Sequence, residues 1–273
     1  MAHVLADDPL SDFTPLDLTF ENATRRVWRS GSGPAVIVMH ELPGISPHVA
    51  RFARWVRDAG FTVWLPSLFG RDGVIASAEE GVAVFRRACV SAEFRALGSG
   101  VSSPVTTWLM ALARHAFESC GGAGVGAIGM CFTGNFALTM MLEPSVIAPV
   151  LCQPSLPLDD PAGLEISGSE LKTIRARLEA ENLQVLAYRF SGDSFCRAER
   201  FAAYERALGE RFIARELPGA SANKDVPPFF AAHVPSPHSV VTVHLVDQAG
   251  HPTLKARDEI IAHLMQTLGG WNE

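Results

Sequence analysis

Short apolar runs rich in β-branched residues recur along the chain, and stretches with helical periodicity separate them. Six runs fit strands buried on both faces, at residues 35–39, 61–65, 124–130, 145–151, 184–190 and 240–245. Helical spacing predicts helices over residues 48–58, 76–97, 104–119, 132–142, 169–180, 197–208 and 253–268. Strand and helix alternate, so we expect an α/β fold with a mostly parallel twisted sheet and helices on both faces.

The domain organisation follows from what the pattern lacks. The chain has 273 residues, and neither a composition shift nor an internal repeat divides it, so we expect one domain over residues 1–273. The irregular stretch 218–238, with PPFF and HVPSPH, is long for a connection in a compact domain. It is interpreted as an insertion that forms either a lid or a packing arm.

Composition narrows the function classes. Hydrophobic residues make up 48% of the chain and charged residues 19%, which is typical of a globular protein. The net charge is −6 and no basic tract appears, so we expect no nucleic-acid partner. The amino-terminal residues lack a basic stretch before an apolar one, and no apolar run reaches about 20 residues. The sequence therefore predicts a cytoplasmic protein with no membrane segment.

Five cysteines without C-x-x-C spacing fit neither a disulfide framework nor a zinc knuckle, and one of them has a distinctive setting. In GMCFTG, Cys131 follows an apolar strand and precedes an apolar helix. A nucleophile elbow has this arrangement, and a helix amino terminus behind the sulfur favours the thiolate form. The other interpretation is a buried structural cysteine. The glycines of this region also spell G-x-G-x-x-G, but inside the strand rather than after it, which disfavours a dinucleotide site.

A thiol nucleophile needs a base and an acid that orients it. In α/β-hydrolases the nucleophile comes first along the chain, then the acid, then the histidine. His251 fits that order, because it follows an apolar run and the turn at Gly250. Asp193 follows the run at 184–190 and is the favoured acid, and Asp247 is the alternative.

An oxyanion hole needs two backbone N–H groups near the nucleophile. The first comes from the residue after the nucleophile, Phe132, and the second from the loop after an early strand, where Leu42 lies. Glu41 beside it is either a polar turn residue or a carboxylate that modulates the thiol. The pair His40-Glu41 is not a zinc motif, because no second histidine follows at the required spacing.

These motifs carry a family resemblance. GMCFTG, the strand ending in HELPG, the PSLFGR segment and the late Gly-His pair resemble the dienelactone hydrolase family over about residues 35–268. The resemblance implies an α/β-hydrolase fold that cleaves cyclic enol-lactones and some other esters without a metal or an organic cofactor. It implies a triad of Cys131, His251 and Asp193, with Glu41 near the thiol.

The resemblance also implies a cation that holds a substrate carboxylate. It places Lys255 in this role, four residues after His251, where the family usually has arginine. Arg86 or Arg87 is the candidate for a second cation. The alternative for Lys255 is a solvated lysine on the last helix.

Three functions remain open at this stage. The leading hypothesis is a cysteine-dependent hydrolase of small esters or lactones. The second is a carboxylesterase or thioesterase of the same fold. The third is a non-catalytic relative whose Cys131 senses oxidants or merely packs. We expect a small-molecule substrate and a monomer or homodimer.

Overall fold

The sheet confirms the expected α/β fold. The computed structural model of the chain describes residues 5–91 and 102–269. Within them, eight strands form one sheet in the order β1-β2-β4-β3-β5-β6-β7-β8. The strands are β1 Thr14–Phe20, β2 Ala23–Ser30, β3 Ala35–Met39, β4 Thr62–Pro66, β5 Val125–Met130, β6 Val146–Cys152, β7 Val185–Phe190 and β8 Phe212–Leu217. Strands β3 to β8 run parallel, whereas β2 pairs antiparallel with both β1 and β4.

Three strands were not predicted, and all three are edge or near-edge strands. β1 and β2 alternate polar and apolar residues and are half exposed, and β8 carries Arg215 and Glu216 in its second half. A continuous apolar run marks only the strands that helices cover on both faces. The five inner strands have that run, which is why the sequence revealed them.

The described residues form eight α-helices. They are α1 Pro47–Asp58, α2 Ala78–Val90, α3 Pro104–Cys120, α4 Phe136–Thr139, α5 Gly168–Ala180, α6 Ala198–Leu208, α7 Pro228–His233 and α8 Pro252–Leu268. Of these, α7 has no predicted counterpart and α4 covers only part of its predicted helix. The predicted helix over 132–142 is instead two short 3₁₀ helices, Cys131–Thr133 and Met140–Leu142, on either side of α4. The helix predicted over 76–97 extends into residues 92–97, which lie outside the described residues.

The core consists of two apolar layers, one on each face of the sheet. In β3, Ile37 and Met39 face the layer formed with α2 to α6, and Val36 and Val38 face the layer formed with α1 and α8. All four side chains are fully buried. The uninterrupted apolar run of β3 is therefore explained by burial on both sides.

The run at 240–245 is not a strand, although the sequence predicted one. The segment folds into turns in which the His244 N–H donates to the Ser239 carbonyl and the Leu245 N–H to the Thr242 carbonyl. It is buried against the sheet and α7 rather than paired within the sheet. Burial alone explains its apolar character, and β8 is the last strand of the sheet.

The stretch 218–238, predicted to be irregular, contains the short helix α7. This helix packs against α2. The close approach depends on Gly81 of α2, because a Cβ added there would lie 2.1 Å from the ring of Phe229. Phe229 and Phe230 form a small apolar cluster with Val243. No helix among residues 5–91 and 102–269 is long and apolar enough to cross a membrane.

Candidate active site

Cys131 is the first residue of the 3₁₀ helix that directly follows β5, so it lies at the turn from strand to helix. Its φ is +53°, a left-handed conformation that costs a residue with a side chain about 1–3 kcal/mol and is typical of functional turns. The turn is tight, since a Cβ on Gly129 would lie 2.2 Å from the Thr133 carbonyl oxygen. The thiol is half-buried and lines a cavity. These features are those of a nucleophile elbow.

The side chain of Thr133 fixes this turn to the neighbouring strand. Its Oγ1 accepts from the Met130 N–H at 3.0 Å and lies 3.1 Å from the Met39 carbonyl oxygen and 3.2 Å from that of His40. Thr133 is fully buried, so these bonds are shielded from water. The ends of β3 and β5 are therefore held together where the predicted oxyanion loop begins.

Asp193 follows β7, as predicted, and its partner is His238. The carboxylate Oδ2 lies 2.7 Å from His238 Nδ1, and Oδ1 accepts the N–H groups of Phe195 and Cys196 at 2.9 and 3.0 Å. His238 and Asp193 are both buried. Because three hydrogen bonds fix this carboxylate, it holds the imidazole in one orientation.

His251 does not lie beside Asp193, so its predicted placement is wrong. It is the N-cap of α8, where its Nδ1 lies 2.9 Å from Thr253 Oγ1. It does not line the cavity that contains Cys131. Asp247, the alternative acid, is exposed and lines a different cavity. The predicted chain order of thiol, acid and histidine holds with His238 in place of His251.

His238 was missed because the preceding strand was misidentified. The sequence predicts that the run at 240–245 is the last strand, and His251 is the first histidine after that run. The last strand is β8, and His238 lies in the long connection that follows. The signal available in the sequence was the HVPSPH segment, whose prolines limit the backbone around the histidine.

Two opposing effects act on the protonation of His238. Burial by itself lowers the pKa of this imidazole, but the charges of Asp193 and Cys131, with hydrogen bonds to both, outweigh it. The pKa of His238 therefore stands well above its ordinary value. A site of this kind favours an imidazolium paired with a thiolate.

The side chain of His244 fixes the backbone of the segment that begins at His238. The N–H groups of His238 and Ser239 point to Nδ1 of His244, at 3.3 and 3.1 Å. Burial lowers the pKa of His244 to about 4, so this imidazole stays neutral at physiological pH and its nitrogen remains an acceptor. One histidine thus positions the backbone of another.

Glu41 lies beneath the same segment. Its carboxylate accepts from Ser239 Oγ at 2.5 Å and from Thr242 Oγ1, and Gln153 Nε2 lies 3.4 Å away. Burial raises the pKa of Glu41, although the hydrogen bonds oppose the change. Within the described part of the chain, these partners belong to the His238 segment and to the loop after β6, and the thiol of Cys131 is not among them.

The cavity above Cys131 has a volume of about 440 Å³. Leu42 and Phe132, the predicted oxyanion residues, both line it. Most of its wall is apolar, and it comes from α2, α7 and the loops after β6 and β7: Val82, Phe85, Leu158, Phe195, Phe229, Phe230 and Val234. Such a wall suits the apolar body of a small substrate.

The two predicted substrate cations lie in different places. Arg86 projects from α2 and lines the cavity, whereas Lys255 is exposed on the first turn of α8 and does not line it. The prediction that Lys255 lies at the mouth of the site is therefore wrong. It depended on His251 being in the site, and both residues belong to the start of α8. Arg87, the alternative to Arg86, lines a separate small cavity.

Ser155 is a further polar residue that the sequence did not reveal. It belongs to the loop after β6 and lines the cavity, and its hydroxyl lies 3.5 Å from the Cys131 sulfur and 3.4 Å from His238 Nε2. Across residues 5–91 and 102–269, no group of three or more histidine, cysteine, aspartate or glutamate side chains could hold a metal ion.

Comparison with known proteins gives a family and a fold. The sequence model of the dienelactone hydrolase family matches residues 24–162. No curated protein sequence matches the chain. A dienelactone hydrolase from Anabaena variabilis is similar in structure, with 13% identity and a TM-score of 0.55 over 94% of this chain and 99% of that one.

Two other solved structures have the same fold. One is a dienelactone hydrolase-like promiscuous phosphotriesterase from metagenomic libraries, with 18% identity and a TM-score of 0.59 over 92% of this chain and 98% of that one. The other is a thermophilic esterase from Thermogutta terrifontis, with 12% identity and a TM-score of 0.53 over 98% and 97%.

Proposed function

This chain belongs to the dienelactone hydrolase family and is a carboxylic-ester hydrolase, and from that premise we propose that it cleaves small esters or lactones through Cys131, His238 and Asp193. The observation that carries the proposal is the hydrogen bond between Asp193 and His238 beside the strained Cys131 turn. A thiol, an imidazole and a carboxylate in this order form the arrangement that nucleophilic catalysis requires.

Acylation begins with attack of the Cys131 thiolate on the ester carbonyl carbon. The carbonyl π bond opens, and the oxygen takes the negative charge beside the backbone N–H groups of Leu42 and Phe132. When the intermediate collapses, the carbon–oxygen bond of the leaving group breaks, and the His238 imidazolium gives it a proton. Asp193 holds the ring throughout and stabilises its charged form.

Deacylation reverses the roles of the imidazole. His238 takes a proton from water, the hydroxide attacks the thioester, and the thiolate leaves with the bonding electron pair. A thiolate departs more easily than an alkoxide, so acylation favours substrates whose own leaving group is good. Enol and aryl esters meet this requirement, because their leaving oxyanions are stable.

The cavity wall suggests the shape of the substrate. Phenylalanines from α2 and α7 and from the segments after β5 and β7 line the cavity that contains the thiol, and Arg86 lines it too. We therefore favour an ester or lactone with a compact apolar body and a carboxylate that reaches Arg86. The cytoplasmic location, the absence of a cofactor and the monomeric or dimeric state stay predictions.

Glu41 is assigned an indirect role. Its bonds to Ser239 and Thr242 hold the segment that begins at His238, so it acts by positioning the base. The Glu41→Gln variant should lower kcat more than it raises KM, because the substrate pocket is untouched.

The test of the proposed function is a burst assay with p-nitrophenyl acetate. The wild-type protein should release a burst of p-nitrophenol equal to the enzyme concentration, and iodoacetamide should abolish it. Cys131→Ala should lose turnover by at least about 10³-fold, and Cys131→Ser should keep only a remnant. Cys89→Ala, which replaces a half-buried cysteine of α2 that does not line the cavity, is the matched control.

Two results would contradict the proposal. Near-normal turnover by Cys131→Ala would mean that another residue is the nucleophile. No turnover of any activated ester by a correctly folded wild-type protein would favour the non-catalytic alternative, in which the thiol has a sensing or packing role.

A further inference from the structure

Ser155 lies beside both the nucleophile and the base of the proposed triad. Its side chain is 2% exposed, and its Oγ is within reach of both the Cys131 sulfur and His238 Nε2. A triad needs only a direct contact between nucleophile and base. The third group in this position calls for an explanation, because a buried hydroxyl must direct its single hydrogen to one acceptor.

The backbone around Ser155 holds the hydroxyl in place. The Ser155 N–H donates to the Cys131 carbonyl at 3.0 Å, so the loop after β6 is fixed to the nucleophile turn. The carbonyl of Pro154 accepts from Arg200 at 3.1 Å. Arg200 is 1% exposed and also binds carbonyls of the neighbouring loops. The distance from Oγ to the sulfur is therefore set by the fold.

Three acceptors compete for the hydroxyl hydrogen. They are the Gln153 carbonyl at 3.1 Å, the Cys131 sulfur at 3.5 Å and His238 Nε2 at 3.4 Å. A neutral thiol is a weak acceptor, but a thiolate is charged, and charged acceptors form bonds about twice as strong. Loss of the thiol proton therefore turns the hydroxyl from the carbonyl toward the sulfur.

We infer that Ser155 is a catalytic residue that bridges the thiolate and the imidazolium. The thiol proton passes directly to His238 Nε2 as the S–H bond breaks, and the Ser155 hydroxyl keeps its own hydrogen and turns it toward the sulfur. In the resulting ion pair, Ser155 donates to the sulfur and accepts from the Nε2–H group. This inference rests on the proposed function, in which Cys131 is the nucleophile.

The test measures how fast iodoacetamide alkylates Cys131 between pH 5 and 10, with the modified peptide identified by mass spectrometry. Ser155→Ala should move the midpoint of the rate profile up by about one pH unit or more, because the thiolate loses a donor. Turnover at pH 7 should fall about tenfold. Ser155→Thr keeps the hydroxyl and should stay near the wild-type midpoint.

Ser145→Ala serves as the matched control, since Ser145 precedes β6 and its hydroxyl donates to Glu143 rather than to a residue of the cavity. Its profile should coincide with that of the wild type. If Ser155→Ala does not fold, as judged by circular dichroism, Ser155→Gly removes the same hydroxyl and adds no volume. A profile and a turnover rate unchanged in the folded hydroxyl-free variant would overturn the inference.

Failure of this inference is distinguishable from failure of the proposed function. Alkylation needs no substrate, so it reports the state of the thiol independently of turnover. If Cys131→Ala keeps its turnover, the proposed function fails. If Cys131→Ala loses turnover while Ser155→Ala behaves as wild type, only the bridging role of Ser155 fails.

Discussion

The turn that carries Cys131 and the connection that carries His238 contribute equally to the proposed triad, but different forces hold them. The turn is short and lies between β5 and a 3₁₀ helix, and its shape comes from Gly129, a left-handed cysteine and Thr133. The connection runs from β8 to α8, and distant residues hold it. They are Asp193, His244 and Glu41.

This contrast shows where each half of the site is vulnerable. A local turn fails when its own backbone is blocked, since no distant contact can compensate. A long connection fails when a distant partner is lost, although its own residues are intact. The predictions below test each half in turn, from the largest effect to the smallest.

The largest effect is expected for the base. His238→Gln should lower kcat by about 10²–10⁴-fold, because general acid and base catalysis are both lost. His251→Gln should change kcat by less than about twofold and lower stability by about 1 kcal/mol, since His251 caps α8. Steady-state kinetics on p-nitrophenyl acetate measure the first effect, and urea unfolding measures the second. A lower kcat in His251→Gln than in His238→Gln would identify His251 as the base.

The nucleophile turn should be intolerant of a single methyl group. Gly129→Ala places a Cβ against the Thr133 carbonyl and should lower the free energy of unfolding by about 3 kcal/mol. Gly168→Ala in α5 is the matched control, because nothing lies within 4 Å of a Cβ there. Urea unfolding of both variants makes the comparison. Equal stabilities would show that the turn adapts.

The His238 connection should weaken in acid. The pKa of His244 is lowered to about 4 from an ordinary 6.5, so its stabilising effect is present above pH 6.5 and declines as the pH falls toward 4. Between pH 7.5 and 5 this decline costs about 2 kcal/mol. His244→Asn should remove that part of the pH dependence, and His233→Asn, at an exposed histidine, should retain it. Urea unfolding at both pH values checks this, and identical dependences in all three proteins would contradict it.

The smallest effect concerns substrate binding beside the connection. Arg86→Met should raise KM for a carboxylated aryl ester by about five- to tenfold and leave KM for a neutral ester of similar size unchanged. Lys255→Met should change neither value, because Lys255 does not line the cavity. A raised KM for both esters in Arg86→Met would assign this arginine to the shape of the cavity rather than to charge.

The same contrast explains how much of the site the sequence could predict. Cys131 and its flanking residues are contiguous, so a strand, a turn and a helix pattern pointed to the elbow. Asp193 follows an inner strand directly and was found in the same way. Each of these placements follows from a strand and the residues directly after it, and a pattern in one sequence records such neighbours.

The positions of His238 and Ser155 depend on the fold as a whole. The edge strand β8 has a polar second half, so its end, and with it the start of the histidine connection, could not be located. The run at 240–245 has the apolar composition of an inner strand because it is buried, although it does not pair within the sheet. Ser155 is one serine among many in the sequence. Only the convergence of the loops after β5, β6 and β7 distinguishes it.

The helices α2 and α7, which pack together at Gly81 and Phe229, contribute to substrate binding but supply no residue of the proposed triad. The residues of the proposed triad lie in segments that follow β5, β7 and β8, whereas much of the cavity wall comes from these two outlying helices. A substitution at Val82, Phe85 or Val234 alters what fits above the thiol but touches no hydrogen bond of the triad. Selection for a new substrate can therefore act on one pair of helices while the reaction machinery is inherited unchanged.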